Sequence, residues 1–161
     1  MRTTTISPTT ETRALLSTLN RCIRAATDAQ KGYAIAAADV RDPNLKTILQ
    51  LHSDQRAEFV IALQRAVTEL GGWPNSSGSA EGALHRAWLE TRLLLEGRSD
   101  ATVLVECERG ERACLGAYDT LLWLAGASPS LPHALRATIV KQHDAVRASL
   151  RDLGARIAGA A

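Results

Sequence analysis

Four stretches of the chain carry apolar residues at alternating steps of three and four, the spacing of a helix face packed in a bundle. The first sets Leu16, Leu19, Ile23, Ala26, Gln30, Tyr33, Ala37 and Val40 on one seam and predicts a helix over 11–42. The second aligns Leu45, Leu49, His52, Arg56, Phe59, Leu63, Ala66 and Leu70 over 43–70. The third aligns Leu104, Cys107, Glu111, Cys114, Tyr118, Leu121 and Ala125 over 101–125. The fourth aligns Leu135, Ile139, Gln142, Val146, Ser149 and Leu153 over 132–157. Pro43 behind Asp42 reads as a first helical residue behind its N-cap. So tight a connection makes the first two helices an antiparallel hairpin. Gly71-Gly72 reads as a left-handed stop for the second helix, and Gly126 to Pro132 as the turn of a second hairpin.

Between the hairpins lies Trp73-Pro-Asn-Ser-Ser-Gly-Ser79, a run of turn residues. Ser79 can cap a further helix over 80–96, with Leu84, Ala87, Trp88, Thr91, Leu94 and Leu95 along one stripe. At 1.5 Å per residue that helix is about 25 Å long, so it can carry the chain lengthwise across the bundle. Helix three then starts at the end where helix two starts. The expected fold class is all-α: a four-helix bundle of two antiparallel hairpins, with an additional crossover helix between helices two and three. Residues 11–158 are expected to form one domain and 1–10 a disordered lead-in.

Composition agrees with this pattern. The chain of 161 residues is 45% hydrophobic but only 4% aromatic, and Ala and Leu, strong helix formers, dominate. The net charge is +2 with no basic block, which argues against nucleic-acid binding. The first ten residues do not read as a signal peptide, and no run approaches transmembrane length, so a cytoplasmic protein with no membrane partner is expected. Cys22, Cys107 and Cys114 are an odd set without paired spacing and read as core residues in a reducing compartment.

The chemistry of the chain concentrates where polar residues interrupt the seams. Glu111 puts a carboxylate where an apolar side chain belongs, and burying it unpaired costs several kcal/mol. Counting from the connections places Gln30, Arg56 with Gln55 and His52 beside it, Glu111 and Gln142 near one height. Three readings of this layer stand. In the first it is a hydrogen-bonded network around an Arg56–Glu111 ion pair, with the amides of Gln30, Gln55 and Gln142, that fixes bundle register. In the second it is an iron site using His52, Glu108 and Glu111. A di-iron bundle site wants a Glu from each of two helices and Glu-x-x-His from each of two more; the chain has no Glu-x-x-His, and His143 is expected to turn off its seam. In the third it is a small-molecule or partner site. Tyr33 and Tyr118 are expected to bond into the layer, and His85 and Trp88 to pin the crossover helix. No phosphate loop, nucleophile elbow or paired-cysteine motif is present.

Several stretches together resemble a bacterial family of uncharacterised four-helix-bundle proteins in the ferritin-like superfamily. They are Gln30-Lys-Gly-Tyr33, Gln55-Arg-Ala-Glu-Phe59, Gly71-Gly-Trp-Pro74, Ser77-Gly-Ser79, Gly82-Ala-Leu-His-Arg-Ala-Trp88 and Glu106-Cys-Glu-Arg-Gly-Glu111, with Tyr118 and Gln142. The resemblance implies a ferritin-like bundle with the long crossover. It also implies that relatives commonly carry Glu at the position of Gln30 and His near Leu150, two ligand-capable residues this chain lacks. The leading reading is a non-enzymatic structural or stress-associated binding protein without an intact di-iron centre and without a cofactor, self-associating as a homo-oligomer such as a dimer. The alternatives are an iron-binding or weakly oxidase-like bundle, and a partner-binding module built on the crossover helix and Trp73. The chemistry of a small-molecule ligand stays open.

Overall fold

The computed structural model describes residues 9–80, 82–83, 86–87 and 99–159. Four long helices make the bundle: α1 (Thr10–Asp39), α2 (Pro43–Glu69), α3 (Asp100–Ala127) and α4 (His133–Gly159). Helix α1 packs against both α2 and α3, α3 packs against α4, and α2 touches α4 only lightly. Most of the seam residues read from the sequence are buried, and Leu15, Cys22, Val67 and Val103 beside the seams are buried with them. Leu19, Ile23, Leu49, Leu63, Leu121, Ile139 and Leu153 are completely buried. The fold is the ferritin-like four-helix bundle with a crossover. Among the described residues no helix is long and apolar enough to cross a membrane.

The helix ends have local causes. Thr9 accepts a hydrogen bond from the Thr12 N–H and caps α1, so the helix starts inside the stretch expected to be a lead-in; residues 1–8 lie outside the described residues. Helix α1 stops at Asp39, three residues short of the expected Asp42. The cause is Pro43, which keeps Asp42 out of the helical region. Asp42 is extended, caps α2 through the Asn44 N–H, and leaves Val40 and Arg41 to form the turn. Gly71 at φ 76° supplies the left-handed stop after α2. Helix α3 runs two residues past the expected Ala125 and ends at Ala127, because Ser128 precedes Pro129 and is extended. The Arg136 guanidinium from α4 then donates to the Ala125 carbonyl, and to the Ser128 carbonyl at 2.8 Å, satisfying oxygens that the end of α3 leaves open.

The connection from α2 to α3 is tied down at three heights along α1. Asn20 is the first. Its side-chain nitrogen donates to the Trp73 carbonyl at 3.0 Å, and its side-chain oxygen accepts the Asn75 N–H at 2.7 Å. Asp28 is the second. One carboxylate oxygen accepts from the Ser79 N–H at 3.0 Å and from the Ser79 hydroxyl at 2.5 Å, while the other accepts from Arg86 at 2.6 Å. The third is the start of α3, where the Asp100 carboxylate accepts the Arg41 and Asp42 N–H groups at 2.9 and 3.1 Å. Helix α3 therefore begins at the α1–α2 turn, as a lengthwise crossover requires. Where described, the crossover is helical at Ala80, Gly82, Ala83, Arg86 and Ala87. The expected stripe residues Leu84, Trp88, Thr91, Leu94 and Leu95, together with His85, lie outside the described residues.

The second anchor explains why the connection needs its glycines. A Cβ at Gly78 or at Gly82 would run into the Asp28 carboxylate. Replacing Gly82 with Ala is expected to cost about 1–3 kcal/mol through this overlap, although alanine is the better helix former. Urea denaturation measures it. A Gly82→Ala protein as stable as wild type would show that Asp28 does not hold the connection this closely.

Candidate functional site

The middle of the bundle is a polar layer built on Arg56 and Glu111. Both side chains are completely removed from solvent. The Arg56 Nη2 atom donates to Glu111 Oε1 and, at 2.9 Å, to the Ser149 hydroxyl. Its Nη1 atom donates to Gln55 Oε1 at 2.5 Å. The guanidinium carbon stands 5.0 Å from the Phe59 ring centre and 5.9 Å from that of Tyr33, so aromatic faces add to the stabilisation of the cation. His52 lies with its ring centre 5.1 Å from Tyr33, and its Nδ1 is 3.3 Å from the Ser149 hydroxyl. The Tyr33 hydroxyl is directed at the Glu111 carboxylate as a donor, while the buried Arg56 Nε and His52 Nε2 atoms have no hydrogen-bond partner.

The environment sets the charges. Burial disfavours the Arg56 cation, and the Glu111 carboxylate more than offsets that, leaving the guanidinium firmly protonated. Burial pushes the Glu111 carboxyl up against the downward pull of Arg56. Burial, then the charge of Arg56, hold the His52 imidazole below its ordinary value. Burial, then the charge of Glu111, raise the Tyr33 phenol. Burial likewise pushes Cys22 and Cys107 up to about 12, so neither is a thiolate near neutral pH.

The other expected members of the layer are placed differently. Gln142 is buried, but its Oε1 accepts from the Tyr118 hydroxyl at 2.8 Å, away from the ion pair. The reason is the register of the second hairpin. Glu111 and Ser149 each lie sixteen residues from the α3–α4 turn, and Tyr118 and Gln142 each lie nine. Ser149 is therefore the α4 member of the layer, and Gln142 sits two turns away. Gln30 is half-buried and contributes its main-chain carbonyl, which accepts from the Ser53 hydroxyl at 3.0 Å. Glu108 bonds to Arg112 at 2.6 Å on the outer side of α3 and does not join Glu111 and His52. His143 is buried, not turned away, with Nε2 2.8 Å from Asp119. The stripe that α4 buries is wider than one seam residue, and α3 supplies the carboxylate that the imidazole meets.

Asp28 escaped the reading of the sequence. It lies two residues from both Ala26 and Gln30, on the side of α1 opposite the seam, where a solvated carboxylate is the usual expectation. A signal was present in Ser77-Gly-Ser79 and Gly82-Ala-Leu-His-Arg86, since two glycines and a serine around a helix start make a cradle for an acidic group. Glu106 is also buried, one residue before Cys107.

A model of the family described as a domain of unknown function (DUF2383) matches residues 14–123. The chain belongs to this family. No functionally curated protein matches it. Among solved structures, the DUF2383 chain is similar to a ferritin-like, diiron-carboxylate protein from Bacillus anthracis str. Ames. The TM-score is 0.76 at 14% identity, covering 93% of this chain and 99% of that one. It is also similar to a dodecameric thioferritin, the bacterioferritin-related protein from Bacteroides fragilis. There the TM-score is 0.65 at 16% identity, covering 91% and 88% of the two chains. Identities this low show the fold alone. The residues of this bundle do not fit the iron centre that the fold suggests. Among the described residues no group of three or more His, Cys, Asp or Glu side chains is placed to hold a metal ion. The carboxylate facing the centre is already bonded to a guanidinium, whose charge opposes a second cation.

Two predictions follow from this geometry. Glu111→Gln keeps an oxygen acceptor for Arg56 and is expected to fold. Glu111→Leu leaves a buried cation uncompensated and is expected to cost about 3–5 kcal/mol. Chemical denaturation compares them, and a Leu variant as stable as wild type would refute the pairing. The second concerns pH. His52 in the folded chain lies below its unfolded value of about 6.5, so as pH falls the unfolded chain takes up the proton first. Its stabilising contribution is complete above the unfolded value and is lost as pH falls through the folded one. His52→Gln should therefore flatten the decline in stability between about pH 7 and pH 5. An unchanged pH slope would show that His52 is not held neutral.

Proposed function

We propose that this DUF2383 protein is a non-catalytic bundle protein of the bacterial cytoplasm, a structural or binding scaffold that self-associates through its outer helix faces. The observation that carries the reading is the completely buried Arg56–Glu111 pair. It puts a covalently attached cation at the centre of a ferritin-like bundle and occupies the carboxylate that a metal would need. Neutral His52 and hydrogen-bonded Ser149 complete the layer, with the Ser149 hydroxyl engaged by Arg56. The high thiol values of Cys22 and Cys107 argue the same way.

Self-association is supported by large apolar side chains left on the outside, chiefly Leu51 and Ile61 on α2 and Trp123 on α3, which is 73% exposed. That the Bacteroides fragilis protein of similar fold is dodecameric supports self-association of a bundle of this shape. The partner-binding alternative draws on Trp73, which is 91% exposed while its carbonyl is held by Asn20.

Metal analysis of protein purified from iron-supplemented cells, run beside light scattering, tests the reading. The expected result is no stoichiometric iron and a defined oligomer. Stoichiometric iron that is lost in Glu111→Gln would overturn the central claim. A monomer across the accessible concentration range would overturn self-association.

A further inference from the structure

On the side of the bundle away from α2 and α4, a cavity of about 630 Å³ lies between α1 and α3. That is within the range of small-molecule sites. Its floor is made of small side chains: Ala25 from α1, and Gly110, Ala113, Gly116 and Ala117 from α3. They follow one another at helical spacing, so the floor is a shallow, mostly apolar strip about 10 Å long. One end is closed by Asp28, Ser79 and Gly82, the anchor of the crossover. The anchor makes that wall rigid and also cancels its charge, because Asp28 is satisfied by Arg86 and by both Ser79 donors.

Among the described residues, what remains charged along the rim is positive. Arg21 and Arg24 border the cavity from α1, one turn apart and on the same side, and Arg109 borders it from α3. Arg109 is mostly exposed, and its only carboxylate neighbour among the described residues is Glu106 at 3.7 Å. Arg21 and Arg24 form no ion pair among the described residues. Two planar guanidinium groups one turn apart are suited to grip an oxyanion head in two-pronged fashion. A floor of small side chains, with the Cys114 thiol beneath it and Thr120 at its far end, suits an unbranched hydrocarbon.

We propose that the α1–α3 groove binds a small anionic amphiphile, with a carboxylate or phosphate head held by Arg21 and Arg24 and an alkyl body lying along the α3 small-residue strip. This site is separate from the central layer, so its failure would leave the reading of Arg56 and Glu111 untouched.

Isothermal titration of the full chain with decanoate, decyl phosphate and 1-decanol, each below its aggregation limit, tests the proposal. Both anions are expected to bind saturably at one site and decanol at least about tenfold more weakly, a difference of about 1.4 kcal/mol. The tighter of the two anions identifies the head group. Two variants locate the site. Arg21→Gln with Arg24→Gln should weaken the anions about tenfold and leave decanol unchanged. Gly116→Leu should weaken all three. Gly116 has open space around its Cβ position, and leucine is the better helix former, so this variant fills the groove without unfolding the protein. No saturable binding, decanol as tight as the anions, or undiminished binding in Gly116→Leu would each overturn the proposal.

Discussion

Glu111 and Arg56 are each completely withdrawn from water, and neither position is tenable without the other. Removing such ions from water costs several kcal/mol apiece even after the protein relaxes. Their mutual attraction offsets that more fully the more of the remaining donors and acceptors are met, and all but Arg56 Nε find a neighbour. Gln55 and Ser149 take two of the guanidinium hydrogens, and Phe59 and Tyr33 bring their rings close to its charge. The layer therefore draws residues from all of α1, α2, α3 and α4. A slip of α3 against α2 by one turn, about 5.4 Å, would separate the charges and leave both buried. The pair admits one register of the bundle and penalises its neighbours.

Register at the centre has to be compatible with the lengths of the connections, and the surface anchors deliver that. Asp100 on the Arg41 and Asp42 N–H groups fixes where α3 begins relative to the first hairpin. Arg136 on the last carbonyls of α3 fixes the second hairpin. With these two ends set, Arg56, Glu111 and Ser149 reach the same height without strain in any helix. Asn20 and Asp28 hold the intervening connection against α1 at two further levels. The residues most characteristic of the crossover sequence are thus the ones that meet Asp28, and the loop glycines are small because a carboxylate sits where their side chains would be.

Much of this was legible in the sequence because hydrophobic periodicity and turn chemistry are local. The four seams, the Asp42–Pro43 cap, the Gly71 stop and the opposition of Arg56 to Glu111 come from spacing and from the charge misplaced at Glu111. Features that depend on how long each helix runs came out less well. Two extra residues at the end of α3 and a start of α4 one residue later moved the α4 partner of Glu111 from near Val146, one turn beyond Gln142, to Ser149. Orientation around a helix was harder still. His143 lies one step off its seam and Asp28 on the face opposite its own, where periodicity expects solvent, and only the facing element decides otherwise. For His143 that element is α3 with Asp119; for Asp28 it is the start of the crossover. Gln30 sits on the seam, yet its side chain is displaced from the network and its carbonyl is used by Ser53.

The charge balance of the layer also bears on why a ferritin-like fold need not carry ferritin-like chemistry. A bundle centre lined by several carboxylates has an excess of negative charge that only bound cations can relieve, so such a centre is coupled to metal. Here the balance closes within the chain: one carboxylate, one guanidinium, and a neutral imidazole, hydroxyl and amide around them. A carboxylate at the position of Gln30, as the resemblance to related sequences implies, would add a second negative charge on α1 near this level. Arg56 could not neutralise both. The single cation therefore suits the chain that lacks that second acid. The backbone can be shared with a diiron-carboxylate protein because a four-helix frame with a crossover is set by seams, caps and connection lengths. The identity of the central cation is set by two or three side chains that the frame leaves free to vary.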